Sequence, residues 1–166
     1  MKNVTLFDIY SSDDENGLRF TLGQKGEKIL LVIGVNPSTA DKEKSDMTIS
    51  RVKKFTSLYA YDGFIMVNLY PKRATFPKDL PLTIDGELHL KNLMAIERAI
   101  TESDAVLCAW GNTIKVRKYL NKCYADVANL LNKYGLPCYC LGLTNEGYPR
   151  HPSRVKTPDR LIEFAL

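Results

Sequence analysis

The stretch K-I-L-L-V-I-G-V at residues 28–35 determines the fold class. Its nearly continuous apolar run is typical of a strand that is buried on both faces, as the central strands of a parallel sheet are. The run is far too short to span a bilayer, so we interpret it as a core strand. Three further strands are predicted at 63–69, 104–110 and 137–143.

Segments with apolar residues at helical spacing separate these strands. They lie at 47–59, 88–99 and 113–134, with Asp46 placed to cap the first and Gly135 to stop the last. Strands that alternate with helices indicate right-handed crossovers and a parallel sheet that is covered on both faces. The sequence therefore predicts a three-layer α/β/α fold around a central four-stranded, mostly parallel sheet.

The chain of 166 residues is long enough to bury a hydrophobic core of its own. It contains no repeat, low-complexity tract or linker, so we predict a single domain over 1–166. Within it, 1–27 supplies an edge strand or hairpin and 28–166 form the core. The proline-rich segment 71–81 is expected to be irregular, and a short closing helix is expected after Pro158.

The composition, with 45% hydrophobic and 25% charged residues, favours an ordinary globular protein. A net charge of +4 is compatible with a nucleic-acid or phosphate partner but does not require one. The first ten residues lack the apolar region of a secretory signal, and the four cysteines lack C-x-x-C pairing. We expect a cytoplasmic protein with structural thiols, no membrane association, no metal and no cofactor.

Ligands of open α/β sheets bind beyond the carboxyl ends of the strands. Four segments leave those ends in the predicted fold, at 34–45, 68–80, 110–113 and 142–158. Each of them carries polar residues, and the candidate site is therefore expected where these four segments meet.

Most of these polar residues have both a structural and a functional interpretation. Asn36 and Ser38 are able to bond their own backbone in a turn. Asn68 follows an apolar run, so its carboxamide needs partners within the protein or on a ligand. Trp110 is either a core residue or part of the site. His151 stands in a polar loop, where a role in an apolar core is not expected.

Charge distinguishes the segments. Two of them are net positive, and their basic residues are Lys72, Arg73 and Lys78 in the second segment and Arg150, Arg154 and Lys156 in the fourth. A basic rim fits phosphate contacts, although solvated surface charges are common. The first segment is net acidic.

Taken in order, the four segments resemble motifs of the uracil-DNA glycosylase superfamily. G-V-N-P-S at 34–38 resembles its first motif, and V-N-L-Y-P-K-R-A at 67–74 resembles the strand whose asparagine reads the base. V-L-C-A-W-G-N at 106–112 resembles its third strand, and H-P-S at 151–153 matches its second catalytic motif. Four short matches in the same order are more specific than any one of them.

A closer resemblance is to a small bacterial and phage family known as domain of unknown function 1643. Its patterns N-P-S-T-A-D, D-x-T-x-x-R, N-L-x-x-x-R-A-T and P-R-H-P appear at 36–41, 46–51, 68–75 and 149–152. The chain is identified as a member of that family. Membership implies no function by itself, because likeness of fold does not establish activity.

The glycosylase resemblance implies cleavage of an N-glycosidic bond at a base that has left the duplex stack. His151 would stabilise the charge on the departing base, and Asn36 would orient the attacking water. Asn68 would read the base edge, since a carboxamide offers a donor and an acceptor. The base pocket would further include Gly34, Val35, Pro37, Ser38 and Trp110. Phosphates would be held by Ser38, Ser153, Lys72, Arg73, Arg150, Arg154 and Lys156.

The sequence departs from the glycosylases in several places. R-V-K at 154–156 stands where they continue Pro-Leu-Ser and use the leucine as a wedge, and no aromatic residue follows Asn36 closely enough to stack on a base. An iron–sulfur cysteine set is missing. Asp41, Asp46 and Arg51, which the glycosylases do not share, suggest a different substrate or a different way of closing the pocket.

These observations predict a nucleobase-recognising hydrolase of N-glycosidic bonds that acts on DNA or on a nucleotide. Two alternatives stay open. One is a non-catalytic nucleic-acid-binding module that retains the base pocket. The other is an enzyme that modifies or hydrolyses a small anionic metabolite with Asp41, Asp46 and Arg51. The sequence does not specify the base.

Overall fold

A computed structural model describes residues 6–156 and 160–166. Its strands are β1 (Ile9–Asp13), β2 (Leu18–Gln24), β3 (Ile29–Gly34), β4 (Gly63–Asn68), β5 (Ala105–Cys108), β6 (Cys138–Cys140) and β7 (Ile162–Glu163). Its α-helices are α1 (Met47–Leu58), α2 (Gly86–Thr101) and α3 (Tyr119–Tyr134). Short 3-10 turns cover Pro77–Asp79, Gly111–Val116 and Pro152–Arg154.

The strands form one seven-stranded sheet in the order β1-β2-β4-β3-β5-β6-β7. The four strands that the sequence predicts are its parallel centre, because β3 pairs in parallel with β4 and β5, and β5 with β6. The predicted N-terminal hairpin is present as β1 and β2, and β2 pairs antiparallel with β4. The part of that prediction at 1–5 lies outside the described residues.

The prediction of four strands is wrong for the sheet as a whole, and so is the closing helix. Ile162 and Glu163 form a strand that pairs antiparallel with β6. The backbone groups on the open edge of a strand need hydrogen-bond partners, and both β2 and β7 supply them at the two edges of the parallel centre. A two-residue strand is too short for a sequence pattern to reveal.

The three-layer arrangement follows from alternation along the central strand. Leu31 and Ile33 point to the face covered by α2 and α3, whereas Leu30 and Val32 point to the face covered by α1. Successive side chains of a strand face opposite sides, so one apolar run serves two cores. The predicted α/β/α layering is confirmed.

The first two helices lie within two residues of their predicted bounds, and the third differs more. The helix expected from Thr113 begins only at Tyr119, because Gly111–Val116 forms a 3-10 turn and Arg117 is extended. Both predicted caps are confirmed: the Asp46 side chain accepts a hydrogen bond from the amide of Ile49, and Gly135 ends α3 at φ +67°. No helix in the described part of the chain is long and apolar enough to cross a membrane.

Candidate functional site

The site lies where two central parallel strands end side by side. Gly34 of β3 is in register with Asn68 of β4, and the ladder continues as the amide of Leu69 donates to the carbonyl of Gly34 at 2.9 Å. A cavity of about 830 Å³ opens beyond this point. It occupies the crevice at the carboxyl ends of the strands, where open α/β sheets bind ligands.

The cavity brings together eleven of the predicted site residues: Gly34, Val35, Asn36, Ser38, Asp46, Asn68, Trp110, Arg150, His151, Ser153 and Arg154. All four predicted segments therefore contribute to one site. The other predicted residues lie outside its lining; they are Pro37, Asp41, Arg51, Lys72, Arg73 and Lys156.

Asn68 is the most unusual polar group of the cavity. The residue is 1% exposed, and neither its Oδ1 nor its Nδ2 has a hydrogen-bond partner in the described residues. Its backbone carbonyl is bonded, at 2.8 Å, by the side-chain amide of Asn92. A buried carboxamide without partners is destabilising by about 1–3 kcal/mol, which makes Asn68 the first candidate in the cavity for contact with a bound molecule.

The close approach of Asn68 depends on a glycine. A Cβ atom at Gly34 would lie 2.8 Å from Oδ1 of Asn68 and 2.8 Å from Cε of Met66. Real Cβ atoms essentially never come so near, so any other residue at this position would displace the carboxamide. The glycine of G-V-N-P-S therefore clears the space in which Asn68 stands.

Asn36 joins the first two segments. Its Nδ2 donates to the carbonyls of Pro37, at 3.0 Å, and Ala74, at 2.9 Å. The backbone amide of Ala74 in turn donates to the carbonyl of Pro37 at 3.0 Å. The Oδ1 atom of Asn36 makes no hydrogen bond within the described residues, which leaves it as an acceptor for a ligand or a water molecule.

The third and fourth segments position His151. Gly111 adopts φ +59°, a left-handed conformation that favours glycine, and its amide donates to the carbonyl of Pro149 at 2.7 Å. The amide of Arg150 donates to the carbonyl of Gly142 at 2.9 Å. The W-G turn thus anchors the loop that carries the histidine against the end of β5.

The tautomer of His151 follows from its neighbour. Its Nδ1 accepts a hydrogen bond from the backbone amide of Ser153 at 3.2 Å and lies 2.7 Å from Oγ of the same serine. A backbone amide only donates, so Nδ1 carries no proton and the neutral ring is protonated at Nε2. Burial, aided by the charge of Arg154, lowers the pKa of His151, while Asp46 acts in the opposite direction.

Trp110 satisfies both of its interpretations. It is 2% exposed and packs against the rings of Tyr124, at 5.1 Å between centroids, and Phe164, at 5.7 Å. It also lines the cavity. The tryptophan is therefore a core residue whose packing stiffens one wall of the site.

Arg19 is the residue that sequence reasoning missed. It lies on β2, lines the cavity and is 2% exposed. Its Nη1 donates to the carbonyl of Ala40 at 3.0 Å, whereas its Nε has no partner in the described residues. The signal was a lone charge between Leu18 and Phe20, in a strand that pairs on both sides within the sheet. Other polar residues missed in the lining are Thr48, Thr75, Asn112, Thr144 and Asn145.

Two basic residues of the second segment brace the backbone instead of facing the cavity. Lys72 donates to the carbonyl of Asn16 at 2.6 Å. Nη1 of Arg73 donates to the carbonyls of Ser38, at 2.9 Å, and Ala40, at 2.8 Å. Their positive charge therefore holds the N-terminal hairpin and the first segment in place.

The acidic first segment is also organised around backbone groups. Oδ1 of Asp41 accepts from the amides of Glu43 and Lys44, both at 2.9 Å, which is a turn of the chain on itself. Arg51 extends from α1 and donates to the carbonyl of Val155 at 2.8 Å. Arg51 thus ties the helix to the loop that follows His151.

Asp46 differs from these two because it lines the cavity. Its Oδ1 caps α1 through the amide of Ile49 at 2.9 Å, and its Oδ2 accepts from the amide of Ala40 at 3.1 Å. Both oxygens are therefore engaged. The other carboxylate in the lining, Glu146, pairs with Lys115. Arginines make the cavity positive, since Arg19, Arg150 and Arg154 all line it.

Metal binding finds no support in the geometry. No group of three or more histidine, cysteine, aspartate or glutamate residues in 6–156 and 160–166 is arranged to hold a metal ion. All four cysteines are free thiols, and three of them are buried. Among the histidines, His89 bonds Asp126 at 2.8 Å between α2 and α3, away from the cavity.

Fold and site together define a class: a three-layer α/β protein with a polar, positively charged ligand cavity at the carboxyl ends of its parallel strands. A family model described as protein of unknown function (DUF1643) matches residues 19–153. The chain belongs to this family, and the prediction of membership is confirmed. Comparisons with curated proteins and with solved structures found no match.

Proposed function

We propose that the cavity binds a nucleobase and that the protein hydrolyses an N-glycosidic bond in DNA or in a nucleotide. One observation carries the proposal: the carboxamide of Asn68, 1% exposed and without partners, stands in the cavity wall. A carboxamide pairs best with a group that presents an acceptor and a donor side by side. The carbonyl and adjacent N–H of a pyrimidine edge have that arrangement.

Comparison with a second buried asparagine supports this role. Asn92 is also fully buried, but its Nδ2 donates to the carbonyls of Asn68, at 2.8 Å, and Leu69, at 3.3 Å. Oδ1 of Asn92 has no partner in the described residues, but its Nδ2 is engaged in the fold and the residue does not line the cavity. Asn68 has no such structural bond from its side chain, so its side chain is the one that is free to read a ligand.

The chemistry needs a donor for the departing base and an acceptor for the attacking water. Water adds its oxygen to the anomeric carbon while the C–N bond breaks and leaves its electron pair on the base. In this proposal the Nε2–H of His151 donates to the negative charge that builds on the base carbonyl. Oδ1 of Asn36 orients the water. The products are a sugar hydroxyl and a base that has taken up the remaining proton.

We expect slow cleavage of the N-glycosidic bond, because the cavity offers no effective general base. An amide oxygen accepts a hydrogen bond but removes a proton poorly, so Asn36 is not an effective general base. The cavity carboxylate Asp46 has both oxygens bonded to backbone amides. Transition-state stabilisation by preorganised donors therefore supplies most of the catalysis in this proposal.

The resemblance of the four motifs to uracil-DNA glycosylases supports the proposal, and one difference limits its scope. Val155 follows the H-P-S segment closely, near the place where those enzymes carry their wedge residue. It is 8% exposed and packs in the core beside α1. A buried valine is not available to enter a duplex, so single-stranded or free substrates are favoured over duplex DNA.

A single-turnover assay tests the proposal. Protein in excess is incubated with labelled single- and double-stranded oligonucleotides that contain uracil, hypoxanthine or a mismatch, and separately with nucleosides and nucleoside monophosphates. Abasic sites or free bases are measured. We expect cleavage that is lost in His151→Ala. The control is His89→Gln, since the other histidine lies between α2 and α3 and does not line the cavity.

The outcomes separate the alternatives. Cleavage that His151→Ala abolishes and His89→Gln retains supports the hydrolase. Binding of a base without any cleavage indicates the non-catalytic module. Neither binding nor cleavage, with protein that melts normally, refutes a nucleobase site.

A further inference from the structure

We infer that Arg19 forms an anion subsite inside the cavity, and that the ligand is a small molecule with a phosphate or carboxylate group. The inference rests on the proposed function only where it assumes that the ligand contains a nucleobase. The anion subsite itself is argued from the surroundings of Arg19. Arg19 lies on β2, outside all four motifs that carry the glycosylase resemblance.

The first argument is the hydrogen-bonding state of the guanidinium. Arg19 has five N–H donors, and one hydrogen bond is formed, from Nη1 to the carbonyl of Ala40 at 3.0 Å. Its Nε is buried without a partner, and no carboxylate within 6–156 and 160–166 lies at ion-pair distance. Buried charges in proteins are normally paired and fully hydrogen-bonded, so this cation lacks its anion.

The second argument is that Arg19 keeps its charge. Burial, together with the nearby charge of Arg73, lowers the pKa of Arg19 to about 10, which leaves it protonated at neutral pH. Asp46 favours the charged form, but its oxygens are bonded to the amides of Ile49 and Ala40. Asp46 keeps its negative charge in these bonds, so it offsets part of the positive charge of Arg19 without forming an ion pair with it.

The third argument contrasts Arg19 with its neighbour. Arg73 also donates to the carbonyl of Ala40, at 2.8 Å, and in addition bonds Ser38 at 2.9 Å and the hydroxyl of Tyr10 at 2.8 Å. Arg73 does not line the cavity, whereas Arg19 does. The donors of Arg73 are thus used in hydrogen bonds within the protein, whereas most donors of Arg19 have no partner there.

The fourth argument concerns the size of the ligand. A cavity of about 830 Å³ is within the range of about 300–1,000 Å³ that is usual for small-molecule sites. Arg19 and Asn68 are 2% and 1% exposed, so a ligand that touches both must enter the cavity. A mononucleotide or a base that carries a carboxylate combines a heterocyclic edge with an anion at this scale.

Binding measurements on the full chain test the inference. Calorimetric titrations compare uracil with uracil-6-carboxylate, and uridine with uridine 5′-monophosphate; inorganic phosphate is titrated alone. We expect the anionic member of at least one pair to bind about 10- to 100-fold more tightly, as charged hydrogen bonds at a buried site do. Preference for the carboxylate or for the phosphate identifies which anion the site takes.

Variants assign the effect to the arginine. Arg19→Met should abolish the preference for the anion, while Arg117→Met should keep it, because Arg117 also bonds backbone carbonyls but does not line the cavity. Arg19→Lys retains a positive charge and should keep part of it. Thermal melting shows which variants fold. If Arg19→Met does not fold, the inference is tested by the anion preference of the wild type and by its partial loss in Arg19→Lys.

The inference is overturned if the wild type binds neutral and anionic probes equally, or if Arg19→Met keeps the preference. It is also overturned if single-stranded DNA binds more tightly than every small probe and the Arg19 variants bind it unchanged. Phosphate binding that depends on Arg19, without any affinity for bases, supports the subsite and refutes the nucleobase proposal. Cleavage of a base without any preference for anionic probes supports the nucleobase proposal and refutes the anion subsite.

Discussion

Gly34 and Asn68 stand opposite each other on adjacent parallel strands, and a Cβ atom on Gly34 would lie 2.8 Å from Oδ1 of Asn68. Because Gly34 has no side chain, the carboxamide of Asn68 has room to stand beside it. Both residues lie at the last register position of their ladder, which is also the edge of the cavity.

Gly34→Ala should separate site geometry from global stability. The added methyl group forces the ends of the Asn68 and Met66 side chains to shift, which we expect to weaken ligand binding at least tenfold but to change the unfolding free energy by less than about 1 kcal/mol. Calorimetry and urea denaturation measure the two quantities. Gly86→Ala is the control, because a Cβ there meets nothing within 4 Å. Equal ligand affinity in Gly34→Ala and wild type would contradict this account.

The two buried asparagines should respond in opposite ways to alanine substitution. Asn92→Ala leaves the carbonyls of Asn68 and Leu69 without a donor and should lower the unfolding free energy by about 1–3 kcal/mol. Asn68→Ala removes two unpaired polar atoms, so the free protein should be at least as stable as the wild type. Only Asn68→Ala should abolish binding of the base.

Denaturation curves and titrations of the two variants provide the test. A large loss of stability in Asn68→Ala would mean that its carboxamide has a structural partner. Asn68→Asp is a further probe of recognition, since a carboxylate only accepts hydrogen bonds. It should shift preference toward a base that presents an amino group.

The sequence predicts the parallel centre of the fold because its physical cause is local. A strand buried on both faces must be apolar throughout, and 28–35 has that composition. The site segments follow from the same reasoning, since ligands bind where parallel strands end. The cavity brings these four segments together as expected.

What the sequence does not reveal depends on contacts between distant parts of the chain. Arg51 bonds the carbonyl of Val155, 104 residues away, and Arg19 of β2 bonds the carbonyl of Ala40, 21 residues away. Neither pairing leaves a periodic or motif signal. A charged side chain is ordinarily solvated, so the burial of Arg19 becomes apparent only when β2 is placed in the sheet between β1 and β4.

Arg51→Met tests whether α1 positions the loop that carries His151. Nη1 of Arg51 donates to the carbonyl of Val155 at 2.8 Å, and Arg51 does not line the cavity. Losing this bond should loosen the loop that carries His151 and reduce single-turnover cleavage about tenfold, while base affinity at Asn68 changes little. Arg51→Lys, which is able to restore a donor, should recover part of the rate. An unchanged rate in Arg51→Met would show that the loop does not need this bond.

His151 should give both stability and cleavage a dependence on pH. Burial lowers the pKa of His151 below its ordinary value of 6.5, so between the two values the unfolded chain binds more protons than the folded one. The unfolding free energy therefore rises with pH across that window, is fully present above about pH 6.5 and falls as the solution is acidified. Protonation of Nδ1 would also break its hydrogen bond from the amide of Ser153.

The test is urea denaturation, measured at about one pH value per unit between pH 5 and pH 8. It compares the wild type with His151→Gln, which lacks the titrating group. We expect the difference in stability between them to shrink below neutral pH, and cleavage by the wild type to decline over the same range. Parallel pH profiles of the two proteins would show that His151 is not buried in its neutral form.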